Sequence, residues 1–146
     1  MPEQKTLKRA RKAKAQGKAP STQAGEFIRE EMHHIREGKH GARNPQQAIA
    51  IGLSKARRSG VKLSPPRKGK PSTRRQAQRD YAKGQRAPRR QPSARRSRAT
   101  LRALTREGHW AASRPALSRQ TRTAARRRSP QERSRAARRA ARTRTS

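Results

Sequence analysis

STQAGEFIREEMHHIRE (residues 21–37) and NPQQAIAIGLSKARRSG (residues 44–60) are the two stretches whose pattern decides the fold. In the first, Ala24, Ile28, Met32 and Ile35 recur at helical spacing with Phe27 beside them, and Ser21 or Thr22 is placed to cap the start. Glu26, Glu30 and Glu31 suit the positive end of the helix dipole, and Gly38 suits the position just past the last turn. In the second, Asn44 stands at the N-cap, Pro45 in the first turn and Gln47 three residues after the cap, the pattern of a capping box. Ala48, Ile49, Gly52, Leu53 and Ala56 then share one face. Ala48, Gly52 and Ala56 are small enough to admit a partner helix, a reason to keep a mid-helix glycine that costs roughly 1 kcal/mol against alanine. Gly60 ends this helix and Val61 is placed to fold back as the apolar contact of a Schellman motif. The seven residues Gly38 to Asn44 suit an antiparallel helical hairpin and are too many for the 3–4-residue turn of a DNA-reading helix-turn-helix.

Outside the hairpin the chain is dominated by charge. The 146 residues carry 42 Lys or Arg against 8 Asp or Glu, a formal net charge of +34. Leu, Ile, Val and Phe number only 12, nine of them before residue 65, so the rest of the chain is poorly supplied for a core. Residues 1–64 have a net charge of +10 and residues 65–146 a net charge of +24, with 24 Arg and 3 Lys in the latter. Ser21 to Arg43 is the neutral stretch, with four acidic and four basic residues. The reading is therefore a mostly α protein in three parts. Residues 1–18 form a basic N-terminal helix or arm without an apolar stripe, residues 19–64 the hairpin module, and residues 65–146 a long Arg-rich tail, largely disordered or conditionally helical. Within the tail, residues 64–73 read as a linker and residues 74–84 as a short helix. Ser93 is placed to cap a helix reaching Glu107, Pro115 to open one running to Arg128, and Ser129 with Glu132 to form a second capping box. Few large apolar residues are available, so the hairpin is expected to need the N-terminal helix or a second copy to be stable.

Self-repulsion at this charge opposes compaction and a polyanion relieves it, so nucleic acid is the expected partner. The candidate contacts are Lys5, Lys8, Arg9, Arg11, Lys12 and Lys14 in the arm, and Lys39, Arg43, Lys55, Arg57 and Arg58 in the hairpin. Arg67, Lys68, Arg126, Arg127, Arg128, Arg138 and Arg139 supply them in the tail. Ser64-Pro-Pro-Arg-Lys68 fits either a turn along an A·T-rich minor groove or an ordinary linker. Gly38-Lys-His-Gly41 matches a backbone-clamping GXXG loop, but a cap followed by a turn explains it without any visible sheet, and Lys39, His40 and Arg43 remain candidates for phosphate. Trp110 either stacks on bases or joins a Leu104–Trp110–Leu117 cluster. His33, His34 and His40 with Glu30 and Glu37 lack any HExxH or cysteine partner and read as surface groups, so no metal is expected. With one Asp, no Cys and no P-loop, no catalytic set emerges, and an enzyme, a cofactor or a small-molecule substrate is not expected. No apolar run approaches a membrane span and no secretory h-region appears, which leaves a cytoplasmic, nucleoid-associated protein as the expectation.

The stretch APSTQAGEFIREEMHHIREGKHGARNPQQAIAIGLSKARRSGVKL (residues 19–63) resembles a family of small, basic, uncharacterised bacterial proteins that share phrases close to STQAGEF, IREGKHGAR and QAIAIGLSKARR. Ser59 stands where that pattern has Ala. RATLRALTREGHWAASRPALSRQTRTAARRR (residues 98–128) resembles the family's Lys/Arg/Ala-rich tails, and together the two stretches cover more than half the chain. Some members are labelled DNA-binding or plasmid stabilisation proteins, so the resemblance implies a bacterial, DNA-associated role without site residues to carry over. The expectation is a histone-like accessory protein that binds duplex DNA without sequence specificity. RNA binding or ribosome association is one alternative, and a plasmid-maintenance protein whose hairpin holds a protein partner or forms a homodimer is another.

Overall fold

A computed structural model describes residues 1–86 and 93–145, and residues 87–92 and 146 of the expected tail lie outside the described residues. The described chain is all helical: α1 (Gln4–Ala15), α2 (Pro20–Arg36), α3 (Pro45–Arg58), α4 (Pro71–Gln85), α5 (Ala94–Thr105), a 3-10 turn at Trp110–Ala112, α6 (Arg114–Arg126) and α7 (Pro130–Thr145).

Helices α2 and α3 form the expected hairpin. The Asn44 side chain accepts from the Gln47 amide at 2.8 Å, while the Gln47 side chain reaches back to the Arg43 amide at 2.7 Å. At the other end Gly60 adopts φ +89°, a conformation that disfavours any side chain, and the Val61 amide returns to the Ala56 carbonyl at 3.1 Å. Val61 is thereby buried. The start of α2 differs from expectation: Ala19 is the N-cap, Pro20 fills the first turn, and neither Ser21 nor Thr22 caps it. Proline's fixed φ sets the entry in place of a side-chain oxygen.

The two helices cross so closely that a Cβ on Gly52 would lie 2.7 Å from the Ile28 Cα. This contact replaces large apolar side chains with backbone-to-backbone packing. Two small cores result, at opposite ends of the hairpin. One gathers Ala10, Ala24, Phe27, Ala56 and Val61, with Leu7, Leu53 and Leu63 against it. The other gathers Met32, Ile35, Ala42, Ala48, Ala111 and Ala112, with Ile28, Ile49 and Leu117 against it.

Both cores are closed from within the chain. Helix α1 lays Thr6, Ala10 and Ala13 on α2, a stripe of small residues, so the arm expected to lack a packing face has one. The 3-10 turn and α6 cover the other core, and Arg36 Nε donates to the Ala112 carbonyl at 2.9 Å. Of the two covers expected for the hairpin, the N-terminal helix or a second copy, α1 supplies the first, and the 3-10 turn and α6 cover the remaining face. The expected boundary at residue 64 does not divide packed from unpacked chain either, because α4 packs on α3. Asp80 is buried there and accepts from Ser54 Oγ at 2.6 Å, Arg58 Nε at 2.7 Å and Gln76 Nε2 at 3.0 Å. A Cβ on Gly84 would lie 1.7 Å from the Arg57 carbonyl oxygen. The tail, expected to be largely disordered or conditionally helical, carries four helices among its described residues. Of these α5 buries no residue, and among the described side chains of α7 all are exposed apart from half-buried Ala136.

Two outcomes test this packing. Gly84→Ala gains about 1 kcal/mol of helix propensity, but displacing a backbone carbonyl costs typically 1–3 kcal/mol, so urea unfolding should show a net loss. Burial alone pushes the Asp80 carboxyl up, but hydrogen bonds from Ser54, Arg58 and Gln76 outweigh it and hold the group below its ordinary 3.8. A lowered folded-state value gives stability that is present above that ordinary pKa and lost as pH falls through the folded one. Asp80→Asn should therefore cost about 2 kcal/mol near pH 7, and the gap from wild type should close in the acid range below the ordinary Asp value.

Candidate nucleic-acid interface

The candidate cations separate into two groups. Lys5, Lys8, Arg9, Arg11, Lys12 and Lys14 are all exposed on α1. Lys5, Lys8, Arg9 and Lys12 follow at i, i+3, i+4 and i+7, the spacing of a single helix face, and Arg9 lies 3.9 Å from Glu26. Arg67, Lys68, Arg126, Arg127, Arg128, Arg138 and Arg139 are likewise exposed. Two further exposed rows, Arg95, Arg98 and Arg102 on α5 and Arg119, Arg122 and Arg126 on α6, also follow helical spacing. They went unnoticed in the sequence because the tail's arginines are so dense that no single row stands out.

The hairpin cations are engaged inside the fold. Arg57 is buried, its Nε donating to the Leu63 carbonyl at 3.1 Å and its Nη2 to the Ser64 carbonyl at 3.4 Å; burial pushes its pKa down. The structure removes Arg57 from the candidate interface. Lys55 is held by Glu31 and lies 3.8 Å from Glu30. Arg58 is bound to Asp80. Lys39 pairs with Glu37 at 3.1 Å and Glu3 at 3.4 Å, and hydrogen bonding to Glu37 above all raises its pKa. Arg43, more exposed, lies 3.6 Å from Glu107. His40, a phosphate candidate in the loop, is buried. Within the Gly38–Gly41 loop only Gly38 and Lys39 are exposed, and its second glycine is not free to clamp a backbone: Gly41 and Ala42 donate to the Leu104 and Gly108 carbonyls at 2.9 and 3.0 Å.

All eight carboxylates have intramolecular partners. Glu3 accepts from His34, which lowers its pKa most, and then from Lys39. Glu30 receives the Glu3 amide at the start of α1. Glu132 receives the Ser129 amide at 3.0 Å in the expected capping box, which lowers its pKa. Glu26, Glu31, Glu37, Asp80 and Glu107 each face a basic side chain. The eight acids are thus each set against a group of this chain, three of them at the exposed surface, and most of the basic side chains are left without an acid.

Trp110 is 54% exposed with the Arg119 guanidinium 5.3 Å from its ring centroid. Leu117 packs on the Met32–Ile35 core. The groove between α1, α2 and the end of α3, lined by Leu7, Arg11, Lys14 and Phe27 among others, holds about 160 Å³, less than the roughly 300–1,000 Å³ of a small-ligand site.

Sequence reasoning also missed a buried polar group. His33 does pair with Glu37, at 3.3 Å, on the surface. His34 and His40 instead converge on Glu31, a residue absent from the histidine set considered from sequence, with ring centroids 6.0 Å apart. The i, i+3 spacing of Glu31 and His34 was the available signal; that His40 returns to them depends on the turn at Gly38. No helix among the described residues is long and apolar enough to cross a membrane. The chain matches no protein-family model, no curated protein and no solved structure.

The separation of cations into two groups is measurable by denaturation. Arg57→Ala strips the donor from two carbonyls and should lower unfolding free energy by about 2 kcal/mol. Lys12→Ala, on the exposed face of α1, should change it by less than about 0.5 kcal/mol.

Proposed function

We propose that the protein is a non-sequence-specific nucleic-acid-binding protein acting by phosphate neutralisation, with duplex DNA its first partner in the manner of a histone-like, nucleoid-associated accessory protein. One observation carries this reading: each of the eight carboxylates has an ion-pair or hydrogen-bond partner within the chain, five of them at buried or half-buried positions, while the exposed surface carries rows of Lys and Arg that so few acids cannot offset. The surface cations are also ordered in rows along α1, α5 and α6, and rows of arginine can meet successive phosphates while also stacking on bases. Trp110 and Arg119 offer a stacked pair at the surface beside those rows. The hairpin's apolar faces are covered from within, which favours this reading over one in which the hairpin grips a protein partner.

Duplex affinity measured against salt tests the proposal. With six to ten phosphate contacts, binding should weaken about 10³–10⁵-fold between 50 and 200 mM salt. Lys8→Ala and Lys12→Ala should each reduce the slope by about 1, equally for unrelated DNA sequences. A flat salt dependence would overturn the proposal, and tighter binding to structured RNA than to duplex at equal salt would move it to the RNA alternative.

A further inference from the structure

Glu31 is fully buried, and its two oxygens are treated very differently. Oε1 is held by the Lys55 ammonium. Oε2 lies 3.2 Å from His40 Nε2, yet it makes no hydrogen bond at all. A carboxylate oxygen in that position carries a desolvation cost that nothing visible offsets. His40 explains part of the conflict. Its Nδ1 lies 3.1 Å from the Gly41 carbonyl, which can only accept, so Nδ1 carries the proton. In the neutral ring Nε2 is then a bare lone pair facing a carboxylate oxygen, two acceptors confronting each other in a buried space. A cation between them resolves the conflict.

A third donor is in place. His34 brings a ring nitrogen to within 4.8 Å of the donor atoms of Glu31 and His40, and its side chain is only 12% exposed. Two imidazoles and one carboxylate make a three-ligand set that borderline divalent ions favour, with a position left open. A tetrahedral centre with bonds of about 2.0–2.1 Å sets its donors roughly 3.3 Å apart; the Glu31–His40 pair at 3.2 Å already has that spacing, and it is His34 that must draw closer. The surroundings are those of a ligand set. The Gly41 carbonyl orients the His40 ring, and Glu3 Oε1 lies 2.8 Å from His34 Nε2, beside the other ring. Glu3, Glu30 and Glu31 set three negative charges against Lys55 and Lys39, so the locality is net acidic in a strongly basic chain. We propose that Glu31, His34 and His40 form a binding site for a divalent transition-metal ion of the zinc class, joining α2 to the loop that leads into α3. In a protein whose two cores are mostly alanine, such an ion would serve as a structural staple.

The full-length protein, stripped with a chelator and free of nucleic acid, is titrated with Zn²⁺, and Co²⁺ is added separately to read the visible bands of a low-symmetry site. The expected result is one equivalent bound with micromolar or tighter affinity, a raised thermal midpoint, and intense Co²⁺ absorption. His34→Gln should weaken binding by more than the roughly 10–100-fold that losing an outer partner costs, and Glu3→Gln should fall within that range. His33→Gln, on the exposed pair with Glu37, should bind as wild type does. Absence of Zn²⁺ binding by the wild-type protein would overturn the proposal and leave a protonated His40 as the partner of Glu31. Loss of binding in His33→Gln with retention in His34→Gln would overturn it equally, by placing the metal on the surface pair. His34 is the partly accessible ligand, so its variant, together with the wild-type titration, keeps the test independent of whether changes at buried Glu31 or His40 still fold.

Discussion

Thirty-four uncompensated positive charges constrain every contact this chain makes. Packed helices approach to about 8–10 Å, close to the roughly 8 Å screening length of physiological salt, so cations on neighbouring helices repel one another at the distances packing requires. Eight carboxylates cannot neutralise that field, and their placement shows a different use. Six of them link separate elements: Glu3 and Glu30 join α1 to α2, Glu26 faces α1, Glu31 joins α2 to α3 and the loop, Asp80 joins α4 to α3, and Glu107 faces Arg43. Each lies at a contact between separate elements, facing a basic side chain or a backbone amide of the other. Only Glu37 and Glu132 are used locally. The acidic residue of the last helix is thus a cap and not a link.

The second device is close backbone approach. A chain with 12 Leu, Ile, Val and Phe residues cannot fill the space between helices held at ordinary separation. Glycine at three crossings removes the need. Gly52 admits the α2 backbone, Gly84 admits the Arg57 carbonyl, and Gly41 admits the Glu107 carbonyl, where a Cβ would lie 2.0 Å from its oxygen. Alanine then suffices for the remainder: Ala24, Ala48, Ala56 and Ala112 are fully buried. Dispersion contacts accumulate from backbone atoms brought close, where most proteins accumulate them from long side chains.

These devices explain which features could be read in the sequence. The hairpin was legible because its signals are local: Asn44, Pro45 and Gln47 at one end, Gly60 and Val61 at the other, and Gly52 between small neighbours. The packing of α1 was not, because Thr6, Ala10 and Ala13 make a stripe without hydrophobicity, visible only once α2 supplies an equally flat face. The docking of α4 uses an Asp–Arg–Ser contact between residues 22 and 26 positions apart and the close approach of Gly84 to α3, and nothing in the periodicity of residues 71–85 marks Asp80 or Gly84 as points of attachment. The exposure of the candidate cations was legible in α1 and in the tail, where lysines and arginines outnumber any available acid. They were misjudged in the hairpin, where Arg57 looks like its neighbours in sequence but faces two carbonyls. The burial of Glu31 with His34 and His40 requires the chain to reverse between α2 and the loop, which no spacing rule supplies.

Placing the acids at the crossings also bears on how the two halves of the molecule communicate. Helices α5 and α6 carry arginine rows, yet their connecting segment is hydrogen-bonded to Gly41 and Ala42, the residues that follow His40. A polyanion lying on those rows lowers the repulsion that the Arg43–Glu107 contact and the Gly41 approach must withstand. By mass action anything that binds the folded arrangement better than the open one stabilises it. On the proposed function, phosphate neutralisation outside would therefore act on the same short stretch of backbone that follows His40. The charge that makes the chain difficult to fold would then also be what lets the proposed polyanion stabilise the folded arrangement.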